Sequence, residues 1–262
     1  MSEARWFIAV SALLLAVSAA VTVIWCASMS AMGGMPMPGG WTMSMAWMRM
    51  PGQSWPGAAA MFLGMWIVMM IAMMLPSLAP MLWRYRQTSV ATSDLRLGRL
   101  TTLVGAGYFF VWTLIGAAVF PLGFAVAAIQ MQQPAMARAA PLAAGLVVLI
   151  AGSLQFTRWK LRHLACCRAQ AVCARALPDD DASAWRYGMR LGVHCAQCCA
   201  GLIAILLVIG VMNVGAMAVV AVAITVERLM PAGERVARII GAITVTTGML
   251  IIAVTLLPAL HA

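Results

Sequence analysis

The chain has 262 residues, of which 64% are hydrophobic and 9% charged, with a mean hydropathy of +0.95. A soluble domain carries charge on roughly a quarter of its residues, so this composition excludes one and places the chain in a bilayer. The net charge of +10 comes from 17 basic residues against 7 acidic ones, but the basic residues sit in short loops between apolar runs, which excludes a nucleic-acid-binding domain and is instead the pattern that orients a membrane protein.

A stretch of about 20 apolar residues crosses the hydrocarbon as a helix, and the sequence predicts about seven. The expectation is an all-α fold, a polytopic integral membrane helical bundle forming a single membrane domain over residues 1–262. Span one covers about Trp6 to Ala27. Arg5 and the small residues Ser18, Ala19 and Ala20 imitate a signal peptide, but an apolar run of over 20 residues is long for one, so it is read as a span. Residues 28–57 are rich in Met, Gly, Pro and Trp; Pro36, Pro38, Pro51 and Pro56 exclude a continuous helix, and an exposed or surface-lying loop is expected. Span two covers about Ala58 to Trp83, with Pro76 and Pro80 expected to kink its far end.

Span three covers about Thr101 to Ile129, kinked at Pro121, and span four about Ala139 to Phe156. A basic loop, 158–187, follows with Cys166, Cys167 and Cys173. Span five covers about Gly188 to Met212; Asn213 and Gly215 are expected to turn the chain into a short span six ending near Leu229, and span seven covers about Val236 to Leu257. Lys and Arg number four, seven and three in 84–100, 158–190 and 228–238, against one, one and none in 28–57, 130–138 and 213–215. The positive-inside rule then puts the N-terminus in the cytoplasm, the C-terminus outside and the Met-rich loop outside. A re-entrant span five to six hairpin would flip the tail.

Fifteen of the 23 methionines lie between Met29 and Met81. In span two Met61, Met65, Met69 and Met73 fall four apart, and Met70 and Met74 repeat the step one residue over, so they form one sulfur-rich stripe in steps of about 6 Å. Thioethers are neutral, tolerate hydrocarbon and are soft ligands that suit Cu(I). Methionine also fills awkward apolar space, and the pattern alone leaves ligation and packing level. The first part of span five carries His194, Cys195, Cys198 and Cys199; in a helix Cys195 lies one turn from both Cys198 and Cys199, and His194 one turn from Cys198. Three thiols and an imidazole point to a ligand role rather than packing, with Cu(I) favoured beside Met and Zn(II) the other metal such a set accepts. Cys166, Cys167, Cys173 and His163 offer a second acceptor site, against ordinary loop thiols. Cys26 is a further donor beside the Met loop or a packing residue. Glu227, beside Arg228, is explained by local pairing or snorkelling.

These residues resemble a bacterial family of predicted metal-binding integral membrane proteins, a domain of unknown function. The similarity lies in Met65 to Pro80, with Trp66, Met69-Met70, Met73-Met74-Leu75-Pro76 and Ala79-Pro80, then in Gly188 to Cys199, then in Glu227 to Gly241. The resemblance implies a multi-span helical protein of the bacterial inner membrane with a metal site; it does not extend to the loop 28–57.

No phosphate loop G-x-x-x-x-G-K-[ST] is present, and no Asp or Glu lies mid-span, so ATP-driven or proton-coupled transport by this chain alone is not expected. The expected function is copper handling without catalysis: the outer loop captures Cu(I), the ladder holds or relays it, and the Cys195, Cys198, Cys199 and His194 cluster binds it, as a permease or as a membrane chaperone supplying a copper enzyme or another chaperone. Beyond metal ion and membrane lipid, no nucleic-acid partner is expected. The alternatives are a membrane thiol-disulfide oxidoreductase using the span-five cysteines, and a non-catalytic assembly or scaffold subunit.

Overall fold

The computed structural model describes residues 2–49, 52–88, 93–170 and 180–260. Among the described residues eight α-helices follow in chain order: α1 (Ser2–Ala31), α2 (Trp55–Thr88), α3 (Asp94–Gln132), α4 (Pro134–Leu154), α5 (Arg158–Gln170), α6 (Asp181–Ile209), α7 (Val214–Leu229) and α8 (Gly233–Leu260). Among the described residues six of them, all but α5 and α7, are long and apolar enough to cross a membrane. The protein is therefore an all-α, multi-span helical bundle.

The sixth expected span is α7, with 16 residues, about 24 Å of rise, short of the roughly 30 Å of hydrocarbon. It nonetheless runs between the two ends of the bundle. Met212, which precedes it, lies 3.9 Å from Cys26 near the end of α1, while Arg228 near its own end reaches Met81 on α2. The turn before α7 differs from expectation: Gly210 takes the positive φ of 128° that ends α6, and Asn213 caps α7 by accepting from the Ala216 amide at 2.9 Å. Gly215 is already helical.

Helix α2 is continuous through Pro76 and Pro80, as α3 is through Pro121. The described part of the 28–57 segment has regular structure of its own. A two-stranded hairpin, β1 (Met35–Met37) with β2 (Trp41–Met43), and a 3-10 turn (Met45–Trp47) fold onto the α3–α4 corner. Trp41 donates its indole N–H to the Ala137 carbonyl at 2.8 Å, and Met37 and Met43 are buried against Ala127 and Ala137. Apolar Trp and Met side chains find this surface because the prolines and glycines that forbid a helix also allow tight reversals. The 158–187 segment holds α5 and the first turns of α6; Cys173 lies outside the described residues.

Within the bundle the main pairings are α4 with α8, α3 with α6, and α1 and α3 with α2. Between membrane helices the hydrophobic effect contributes little, and close van der Waals contact through small residues decides who packs where. Gly188 and Gly192 of α6 face α3: a Cβ at Gly188 would collide with the Val104 carbonyl, and one at Gly192 would stand 2.9 Å from the Tyr108 carbonyl. The small-residue spacing thus sets α3 against α6 almost backbone to backbone.

Candidate metal centre

That close crossing fixes the site's first contact. Tyr108 on α3 is fully buried and its hydroxyl donates to Cys195 Sγ on α6 at 2.9 Å. Cys199 follows one helical turn later, with its Sγ 3.8 Å from that of Cys195. Helix α2 packs alongside and presents the Met stripe: Met65, Met69, Met70, Met73 and Met74 are buried, whereas Met61 is 43% exposed. The lower end of the stripe meets the cysteines, with Met74 Sδ 3.9 Å from Cys195 Sγ. Two thiols and one thioether, from helices 121 residues apart in sequence, therefore share one fully buried place.

The His194, Cys195, Cys198 and Cys199 group divides. Cys198, on the neighbouring face, hydrogen-bonds Cys167 of α5 and Cys199. His194 accepts from Cys167 Sγ through its backbone carbonyl at 3.3 Å, and its Nδ1 is buried without a hydrogen-bond partner. Among the described residues no three His, Cys, Asp or Glu side chains are arranged to hold a metal ion. A four-ligand Zn(II) set of the structural kind is thus not formed. The donor set that does converge is two Cys and one Met, soft ligands that match Cu(I).

Three charges surround these sulfurs, and the sequence pattern assigns none of them to the site. Arg228 of α7 is 4% exposed; its guanidinium donates to Cys195 Sγ at 3.1 Å, to Ser77 Oγ at 2.9 Å and to Met81 Sδ at 3.3 Å. Glu227 is 1% exposed and does not pair with its neighbour. It accepts from Lys160 Nζ of α5 at 2.7 Å and from Gln155 Nε2 at 3.2 Å, while Lys160 also donates to the Cys198 carbonyl at 2.6 Å. Local pairing or snorkelling of Glu227 is thereby corrected. Consecutive residues on a helix point about 100° apart, so one side chain turns toward α5 and the other toward α2 and α6. The signal available in sequence was a Glu-Arg pair closing an apolar run, and Lys160 offered none.

The electrostatic consequence follows from counting. Leaving the thiols aside, Lys160, Arg228 and Glu227 carry one net positive charge in a buried cluster, where an uncompensated ion is costly. Two donors, Tyr108 and Arg228, converge on Cys195 Sγ, an arrangement that stabilises negative charge on that sulfur. Cu(I) held by two thiolates would carry a single negative charge and would offset that positive charge. On α5, burial disfavours the Lys160 ammonium, but Cys198 and Glu227 more than offset it and hold its pKa above the ordinary value. The hydrogen bond to Cys198, then burial, push the Cys167 thiol far above the usual range, so it stays protonated. The six described cysteines, Cys26, Cys166, Cys167, Cys195, Cys198 and Cys199, are all free thiols. Of the second expected acceptor group, Cys166 is exposed and Cys167 turns inward to Cys198. The His163 ring packs on Trp159.

No curated protein and no solved structure matches the chain. A family model described as PpoB2: Copper chaperone matches residues 63–251, which takes in the Met65–Pro80 stretch, the span-five cysteines and the Glu227-Arg228 pair, and leaves out α1, the hairpin segment and Met61. The chain belongs to the PpoB2 copper chaperone family and is a copper-handling, multi-span membrane protein.

Proposed function

We propose that the protein is a membrane copper chaperone that holds Cu(I) between Cys195, Cys199 and Met74 and passes it along the Met73, Met70, Met69 and Met65 stripe of α2. The observation that carries this reading is the contact of Met74 with Cys195 at 3.9 Å, because it joins the buried end of the thioether ladder to the thiol pair. Steps of about 6 Å between Met residues four apart are short enough for a soft cation to be handed from one sulfur to the next without meeting water.

Holding rather than conducting is favoured by burial. Cys195 and Cys199 are 0% and 1% exposed and Met70 and Met74 are 0% exposed, so the ion sits in packed side chains and leaves by exchange with an acceptor. Arg228 and Tyr108 anchor the thiolate charge, and Lys160 with Glu227 locks α5 over the site. In this reading the basic end faces the cytoplasm of a bacterial inner membrane and the hairpin faces outward. The residues have no catalytic task.

The test is anaerobic loading of the purified protein with Cu(I). A C195A/C199A variant that retains one equivalent fewer than the wild type is the expected result. Retention that is equal after Met69, Met70, Met73 and Met74 are changed to Leu removes the ladder from the reading. Sealed proteoliposomes that accumulate Cu(I) unaided would replace the chaperone with a permease.

A further inference from the structure

At the other end of α2, a cavity of about 30 Å³ is bounded by Met29 near the end of α1, Met45 of the 3-10 turn and Met48 just after it, Met61 and Met65 of α2, and Met212 of the α6–α7 turn. Six of its twelve lining residues are methionine, where 23 in 262 would supply about one. The remainder are the aromatics Trp25, Phe62 and Phe124 with Ala46, Ala58 and Gln53, and none carries a charge. Cys26, 2% exposed, donates its thiol to Met212 Sδ at 3.9 Å from behind the wall.

Packing does not account for this arrangement. Methionine is the side chain best able to move into a gap, and interiors otherwise leave few voids as large as a water. Six flexible thioethers drawn from four separate segments border a half-open space of about one water's volume and are arranged around it instead of filling it. The donors are neutral and soft, which suits a monovalent soft cation and disfavours Zn(II), Mg(II) or Ca(II).

We infer that this cavity is a second Cu(I) site, made of thioethers alone, where the metal is taken up before it moves down α2. The direction of transfer rests on the function proposed above; the existence of the site does not. Without thiolates it binds more weakly than the Cys195 and Cys199 pair and releases its ion along Met65 to Met69. Most of its ligands lie outside the stretch shared with the family, so it is a feature of this chain's α1 and hairpin segment grafted onto the shared core.

The test uses the full chain in nanodiscs with Cu(I), and with Ag(I) as a redox-inert probe. In the C195A/C199A/M74L background one equivalent of Ag(I) remains bound, with X-ray absorption of the Cu(I) form showing sulfur neighbours only. Adding M45L, M48L and M212L, which keep side-chain volume, lowers that affinity at least tenfold without moving the unfolding midpoint. The inference is overturned if the C195A/C199A/M74L background binds neither ion, or if the three Leu substitutions leave binding unchanged. Loss of all binding with the cysteines alone supports the inner site and overturns this one; loss only with the Met substitutions does the reverse.

Discussion

Arg228→Met isolates the charge logic of the inner site. The guanidinium stands 3.1 Å from Cys195 Sγ, where a unit charge pair at an effective dielectric of 20 interacts by about 5 kcal/mol. Tyr108 and Lys160 remain to stabilise the anion, and side chains relax around the smaller residue, so roughly half of that, about 2–3 kcal/mol, is the expected loss. This corresponds to Cu(I) affinity weaker by about 30- to 150-fold. Arg228→Lys keeps the charge and loses only the fork, and stays within about tenfold of wild type. A divalent ion on two thiolates forms a neutral complex, so Zn(II) affinity falls less and the preference for Cu(I) over Zn(II) narrows in Arg228→Met. Competition against a chromophoric Cu(I) chelator under anaerobic conditions at fixed pH measures all three. Because an isolated buried cation is itself unfavourable, the unfolding midpoint of Arg228→Met stays level or rises, which separates affinity from folding. Wild-type Cu(I) affinity in Arg228→Met, or equal damage from Met and Lys, would refute the reasoning.

Three further outcomes follow from the same geometry. Glu227→Gln leaves Lys160 buried with no carboxylate and lowers stability by about 3–5 kcal/mol, whereas the K160M/E227M pair recovers most of it; denaturant unfolding in detergent measures the cycle. Gly188→Ala drives a methyl into the Val104 carbonyl, costs about 1–3 kcal/mol, and moves Tyr108 off Cys195, so Cu(I) affinity falls along with the unfolding midpoint. The raised pKa of Lys160 means that its contribution is fully present below the unfolded value of about 10.4 and is lost only as pH climbs through the higher folded value. Unfolding midpoints compared between wild type and Lys160→Met should therefore differ by a constant amount from pH 7 to about 10 and converge above it; convergence already near pH 8 contradicts the assignment.

Much of the molecule is legible in one dimension because membrane helices announce themselves. A run of about 20 apolar residues has few other fates, so the six long helices stand where hydropathy puts them, and the four-residue steps of Met65, Met69 and Met73 fix those sulfurs on one face of α2 whatever they touch. The Cys-x-x-Cys-Cys pattern likewise puts Cys195 and Cys199 one turn apart. The hairpin and α5 were harder to read. Three-residue strands and a 13-residue polar helix carry too little periodicity to separate from loop, and they form because the ends of the bundle offer them a surface.

Which groups meet was left to the tertiary structure. Lys160 and Glu227 are 67 residues apart, Arg228 and Ser77 151, and Cys195 and Met74 121, separations over which spacing rules say nothing. The Tyr108–Cys195 contact depends on Gly188 and Gly192 letting α3 and α6 close to backbone contact, and the two charges part because the roughly 100° between Glu227 and Arg228 sends one to α5 and the other to the cysteines. The sequence by itself determined a helical membrane protein with soft donors at helical spacing, since composition and period act within one element. The packing of separate helices, a property of shape and buried charge, decided that those donors share a site with a cation.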